Sequence, residues 1–201
     1  VEQVKATNVV IDAPRTNYTG GICGRTDLYG SLTQGDTIEN FSITGNGVVG
    51  GLAGYTASNV TTGNRAVNGS VKGNYTVGGL YGANYMASTA ENHQDWLIDT
   101  VEITAEAGAA GGALGSTGQS HSNNAVVRNC TIKGTTAVGG LIGYRTGNAY
   151  NSTHYNTQIL GCKILNEVNG RENKNVNGDP SVMGTGGVYG LYTDSYQPRF
   201  F

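Results

Sequence analysis

The chain has 201 residues, with 33 glycines, 3 prolines, 12 Lys+Arg against 14 Asp+Glu and a formal net charge of −2. Charged residues make up 13%, about half the share of an ordinary soluble domain, which excludes the basic footprint of a nucleic-acid binder. No run approaches the ~18 apolar residues a spanning helix needs, glycine keeps no strict three-residue period as collagen requires, and 37% hydrophobic residues with 12 tyrosines is too apolar for a purely disordered chain.

Read from the start, the chain opens on Val1 without a signal peptide, as a processed product or a segment of something longer does. VKATNVVI (4–11) is followed by GGICG (20–24), and that five-residue string then recurs: GGLAG (50–54), GGLYG (78–82), GGALG (111–115), GGLIG (139–143) and GGVYG (186–190). The start-to-start intervals are 30, 28, 33, 28 and 47 residues. Before most copies stands a second string: IENFSITG (38–45), AVNGSVKG (66–73), IDTVEITA (98–105) and VRNCTIKG (127–134), with ILGCKILN (159–166) as a further copy. Ile43, Val71, Ile103 and Ile132 precede their glycine doublets by 7, 7, 8 and 7 positions.

A constant period of this kind marks a stack of structural units. Each unit reads as a short alternating strand (Phe41-Ser42-Ile43, Cys130-Thr131-Ile132), a turn, and a second strand through VGGLxG whose last glycine turns the chain. The doublets suit close backbone approach or a positive φ at a corner. TVEITAEAGAAGGALG (100–115) is alanine-rich, yet it fills the slot of strand-like segments and is read as strand. Propeller blades are longer, at ~40–45 residues. The expectation is an all-β, right-handed parallel β-helix of about six irregular coils forming one domain over 1–201. The coils lie near 4–37, 38–65, 66–97, 98–126, 127–158 and 159–190, with 191–201 as a cap or docking tail. The polar stretch 165–185 is a projecting loop.

Cys130 and Cys162 hold the same slot in successive units, where coils ~4.8 Å apart allow either a ladder of buried thiols or a disulfide. Cys23 has no evident partner, and without a CxxC pair there is no structural zinc signature.

The string [VA]GG[LA]xG, preceded at fixed distance by a ΦxNxxI-type segment, resembles the GLUG repeats of bacterial cell-surface proteins and of the N-terminal region of immunoglobulin A1 peptidases. The closest copies are Val49–Gly54, Val77–Gly82 and Val138–Gly143. The resemblance implies an extracellular β-solenoid used for display or attachment, and no activity: the peptidase motif HExxH is absent from the sequence.

The units differ most after each GGxxG: 25–37, 55–65, 83–97, 116–125 and 144–158 share one phase of the coil and stack along one edge. These stretches supply Tyr29, Tyr55, Tyr85, His93, Trp96, His121, Tyr144, Tyr150, His154 and Tyr155. Tyrosine offers rigid area with a polar tip, and the surrounding Asn and Ser offer adaptable hydrogen bonds, a composition suited to a polar uncharged partner such as a glycan. The leading expectation is a non-enzymatic binding or adhesion module, extracellular, on a cell or virion surface, without catalytic residue, metal or cofactor. Its partner is a glycan or a host or bacterial surface receptor, with no nucleic acid and no membrane span, and its chain ends offer contacts to a second copy or a neighbouring domain. A phage receptor-binding tip uses the same physics. A carbohydrate-active enzyme needs two carboxylates in one groove, for which Glu91, Asp95 and Asp99 are candidates with His93 as proton shuttle. A structural spacer or filament subunit is the remaining alternative.

Three other signals are weaker. GNGVVG (45–50) matches a dinucleotide fingerprint but lacks the following helix. No carboxylate recurs in the phase of a calcium ladder. Sequons begin at Asn17, Asn40, Asn59, Asn68, Asn74, Asn129 and Asn151, as expected by chance in a chain this rich in Asn, Ser and Thr.

Overall fold

The computed structural model describes residues 3–26, 34–57, 60–85, 91–118, 120–146, 153–166, 184–193 and 199–200. They form an all-β parallel solenoid: the strands pair in parallel with counterparts about 30 residues away, or 46–47 across the last insertion, giving four sheets that run along the stack. The long sheet contains Lys5–Ala13, Thr37–Gly45, Arg65–Gly73 and Leu97–Ala105, then two broken rungs, Val126–Arg128 with Thr131–Gly134 and Gln158–Leu160 with Lys163–Asn166. A glycine sheet follows: Tyr18–Gly20, Val48–Gly50, Thr76–Gly78, Ala109–Gly111, Ala137–Gly139 and Gly184–Gly186. The third sheet holds Cys23–Arg25, Ala53–Thr56, Tyr81–Asn84, Leu114–Thr117, Ile142–Thr146 and Tyr189–Thr193. The fourth holds Val60–Thr62, Glu91–Gln94, Ser120–Asn123, Thr153–Tyr155 and Arg199–Phe200. The alanine-rich stretch is strand, and part of the tail, Arg199–Phe200, joins the fourth sheet beside Thr153 and His154. Residues 167–183 of the expected projecting loop lie outside the described residues; on either side of them the register is kept, with Ile132 beside Ile164 and Gly139 beside Gly186.

The doublet glycines stand in one column, Gly20 beside Gly50, Gly78, Gly111, Gly139 and Gly186. The VGGLxG string is not one strand, however. The glycine-sheet strand ends at the first glycine, the next two residues make a corner, and a new strand begins. The final glycine lies inside that new strand instead of turning the chain. Nor is a positive φ involved, since among the described glycines only Gly35, Gly63 and Gly161 adopt one. Close approach is the reason. A Cβ on Gly111 would stand 1.9 Å from the Leu114 carbonyl oxygen and 2.5 Å from the Gly143 nitrogen. Two backbones meet there with no layer of side chains between them. The corner residues carry their own ladder: Leu52 N–H donates to the Leu80 carbonyl, Leu80 to Ala113, Ala113 to Leu141 and Leu141 to Val188.

The core is a set of columns. Ile11, Ile43, Val71, Ile103, Ile132 and Ile164 align in the long sheet, with the middle four fully buried. Each such side chain contributes about 1.5–3 kcal/mol by leaving water. Phe41, Val101 and Cys130 occupy a second buried column. Cys23, Cys130 and Cys162 are free thiols, and burial pushes the Cys130 thiol up to about 12.

The long strands bend at one place per rung, where Asn8, Asn40, Asn68, Thr100, Asn129 and Gly161 all have φ between 50° and 61°. Asparagine tolerates this left-handed region better than other non-glycine residues, and Asn68 donates to Asn40 across rungs at 2.7 Å. The bend also explains the sequon spacing at Asn40, Asn68 and Asn129. An αL asparagine, a residue of the core column (Phe41, Gly69, Cys130) and then a Ser or Thr on the other face is simply the form of the rung. Thr100 is the exception, a β-branched residue at φ 56°. Replacing Thr100 with Asn or Gly is expected to stabilise the protein by about 1 kcal/mol, raising Tm by roughly 2–4 °C at this size. An unchanged or lower Tm in both variants would count against the strain.

Candidate functional site

The edge expected from the sequence divides into an interior part and a surface part. His93, Trp96 and His154 are buried, which corrects their assignment to an outward loop. They sit on the fourth sheet and its following corner, where successive rungs supply polar partners. Thr61 Oγ1 accepts the Trp96 indole N–H at 3.0 Å and shares a hydrogen bond with His93 Nδ1 at 2.8 Å. The His93 and Trp96 rings stack at 4.3 Å, and the Asn84 amide lies 3.4 Å from His93 Nε2. Tyr81, tilted against Trp96, accepts from Asn64 Nδ2 at 2.6 Å. The Asp36 backbone N–H donates to Asn64 Oδ1, and the Asp36 carboxylate accepts from the Val4 N–H. One rung pair further on, His154 Nδ1 bonds Ser122 Oγ at 2.6 Å and its Nε2 bonds the Tyr189 hydroxyl. A buried polar seam therefore runs inside the solenoid, most of its hydrogen bonds joining residues 28–35 positions apart and the Asn64–Tyr81 and Asn84–His93 contacts joining nearer ones.

Burial sets the electrostatics of this seam. It holds both His93 and His154 down to about 3, reinforced by the neighbouring histidines and, at His154, by Arg145. His121, half-buried, is lowered by the same two causes, burial and then Arg145. Burial and the nearby Asp36 charge raise Tyr81, against the pull of Asn64 and Thr61.

At the surface, the fourth sheet carries a hollow of about 120 Å³. The buried His93 and Ser122 line it, together with Gln94, His121, Asn123, Thr153 and Tyr155. Tyr155 is 46% exposed, and His121 Nδ1 is tied to Thr153 Oγ1. Of the sequence-predicted residues, the structure brings His93, His121 and Tyr155 together here. Gln94, Asn123 and Thr153 were missed. For Gln94 and Asn123 the signal is positional: like the predicted Tyr155, each precedes an αL residue (Asp95, Asn124, Asn156) at rung spacing.

A second cluster forms at the third sheet. Tyr55 and Tyr85 stack at 6.5 Å with an 18° interplanar angle, Tyr18 meets Tyr55 edge-on at 5.7 Å, and the Arg25 guanidinium lies 5.0 and 5.3 Å from the Tyr18 and Tyr55 ring centres. Tyr18 was missed because it precedes the first variable segment, and Arg25, which opens that segment, because only aromatic and histidine side chains were picked out along the edge. Tyr144 is half-buried in the third sheet, aligned with Ser116. Tyr29 and Tyr150 lie outside the described residues.

Of the carboxylates considered for catalysis, Asp95 and Asp99 are taken by lateral contacts, and the Glu91 side chain lies outside what is described. Asp95 accepts from Asn124 at 2.9 Å; Asp99 accepts from Arg128 at 2.7–2.8 Å and from Asn129. The Arg128 hydrogen bond holds Asp99 below its ordinary range, the wrong direction for a general acid at neutral pH. A wider hollow of about 450 Å³ on the long sheet, between Ser42, Ser70, Lys72, Glu102 and Lys133, has its charges paired as Lys72–Glu106 and Lys133–Glu102. Among the described residues, no group of three or more His, Cys, Asp or Glu is placed to hold a metal ion, and no helix is long and apolar enough to cross a membrane.

These features define a repeat-built β-solenoid scaffold. Compared with protein-family models, curated proteins and solved structures, the chain finds no match.

Proposed function

We propose that this chain is a non-enzymatic binding or adhesion module, displayed outside the cell on a cellular or virion surface, that holds a neutral glycan in the hollow of the fourth sheet. Its scaffold is read as one domain wound right-handed in six circuits. The observation that carries the reading is the hollow itself: the Gln94 and Asn123 amides, the His121 imidazole and the Thr153 hydroxyl converge beside the open ring of Tyr155. Paired donors and acceptors next to an aromatic face suit a ligand that carries hydroxyl groups on one side and C–H groups on the other. The GLUG resemblance supports a surface role. The lateral engagement of Asp95 and Asp99 favours binding over hydrolysis.

The test is a glycan array followed by calorimetry on the best neutral ligand. Tyr155→Ala is expected to weaken binding at least about tenfold with the circular dichroism spectrum unchanged, and Gln94→Ala to weaken it less. Absence of any neutral glycan ligand, or full affinity in both variants, would sink the reading.

A further inference from the structure

The two ends of the stack differ from its middle. Ten apolar residues are only partly buried against the core, and all ten lie in the first or the last rung. They occupy matching slots: Val9 and Cys162 belong to one column, Ile11 and Ile164 to a second, and Ile22 and Val188 to the corner column. The corner ladder is also directional. The N–H of each rung donates to the carbonyl of the next, so the ladder opens on the Ile22 carbonyl and closes on the Val188 N–H. One end of the stack therefore offers an acceptor and the other a donor. The second glycine of each doublet points the same way. A Cβ on Gly51, Gly79, Gly112 or Gly140 would stand 2.0–2.2 Å from the carbonyl oxygen of the matching glycine in the next rung. Gly187 closes that column: a Cβ there meets nothing within 4 Å, and its φ is not positive. Among the described residues, neither space nor backbone conformation asks for glycine at 187, whereas a further rung beneath it would.

We propose that the last rung is an assembly surface for the first rung of a second copy of this chain, stacked head to tail in the register of the solenoid. The second copy's Gly21 carbonyl then meets Gly187 as the Gly187 carbonyl meets Gly140, and its Ile22 carbonyl accepts from the Val188 N–H. Its Ile11 continues the column below Ile164, and both leave water. On the outward face the same register sets Val10, 80% exposed, beside Lys163 and within diagonal reach of the exposed Leu165. A second copy is the occupant that matches slot for slot, because the lower side of each rung fits the upper side of the next throughout the stack. A symmetric pair joined at the first rungs would oppose acceptor to acceptor at Ile22, and one joined at the last rungs donor to donor at Val188. An unrelated extended peptide can pair with an open strand edge, but it does not reproduce the corner whose carbonyl requires glycine at 187. The contact joins unlike surfaces and does not close on itself, so it propagates. It is independent of the neutral-glycan reading of the fourth sheet.

The test is sedimentation velocity on the full chain between about 5 and 500 μM, a span that reads micromolar contacts. The expected result is a mean mass that keeps rising with concentration. Gly187→Ala should weaken the association at least about tenfold, because its methyl group takes the place of the incoming carbonyl, and should leave the Tm of the dilute monomer unchanged. Val10→Lys, at the opposite end, sets two lysines side by side and should weaken it as well, less so at high salt. A mixture of the two variants restores one contact: the intact last rung of Val10→Lys receives the intact first rung of Gly187→Ala, so dimers form and growth stops there. A chain that stays monomeric at the highest concentration overturns the proposal. So does a native mass that levels off at a dimer, or a Gly187→Ala variant that assembles like the native chain. A mixture that gives no dimers overturns it too, by removing the head-to-tail arrangement.

Discussion

Gly111→Ala is expected to abolish folding or to lower stability by about 4 kcal/mol or more, an exceptional value for replacing one hydrogen with a methyl group. The new Cβ would overlap the Leu114 carbonyl oxygen at 1.9 Å and the Gly143 nitrogen at 2.5 Å, and neither is the movable end of a side chain. Relief requires the glycine sheet and the third sheet to separate, which breaks the corner hydrogen bonds from Gly79 to Gly112 and from Ala113 to Leu141. Gly187→Ala is the matched control, since a Cβ there meets nothing within 4 Å. Thermal unfolding of the two variants checks the claim. Equal, small losses in both would show that the doublets are set by something other than close approach.

Acid is expected to destabilise the protein well before its carboxylates titrate. His93 and His154 have an ordinary value of 6.5 and are held to about 3 in the folded state. Between those limits the unfolded chain binds protons that the folded chain refuses. The stability these neutral histidines allow is therefore complete above about pH 6.5 and is lost as pH falls toward 3. Each histidine contributes a slope of about 1.4 kcal/mol per pH unit. For the pair, the loss by pH 4.5 is on the order of 5 kcal/mol, which is comparable with the whole stability of many domains. Arg145 and His121 add repulsion in the same direction. Asp99 contributes only below its ordinary 3.8, so a window from pH 7.5 to 4.5 isolates the histidines. Urea midpoints across that window should fall steeply for the native chain and much less for the double variant His93→Gln/His154→Gln. A flat profile in the native chain would remove the buried histidines from the account.

The solenoid was legible because its strictest requirement is written in the rarest way. A backbone contact that admits no Cβ allows only glycine, so Gly50, Gly78, Gly111 and Gly139 repeat without substitution. The isoleucine column was legible for a related reason, since an interior position tolerates few residue types. The corner within VGGLxG was not legible, because Leu52 and Leu80 at a buried bend look the same as strand residues in a string. Asparagine at 40, 68 and 129 was visible as a recurring letter, while its left-handed backbone role was hidden by its abundance in ordinary loops. The seam was least legible of all. Whether His93 or Trp96 faces solvent depends on Thr61, Asn64 and Asn84, which come from the preceding rung or the opposite sheet, and nothing local to HisGlnAspTrp encodes them.

The parallel ladders have a mechanical corollary. Hydrogen bonds between rungs lie along the length of the stack, perpendicular to the strands. Tension that draws the two ends of the molecule apart therefore loads one interface at a time, peeling rungs in sequence instead of shearing them together. Extension should proceed as a train of steps of about 30 residues each with one longer step of 47, the spacing of the glycine doublets. A tether built this way lengthens by stages under load and rewinds from whichever rungs remain.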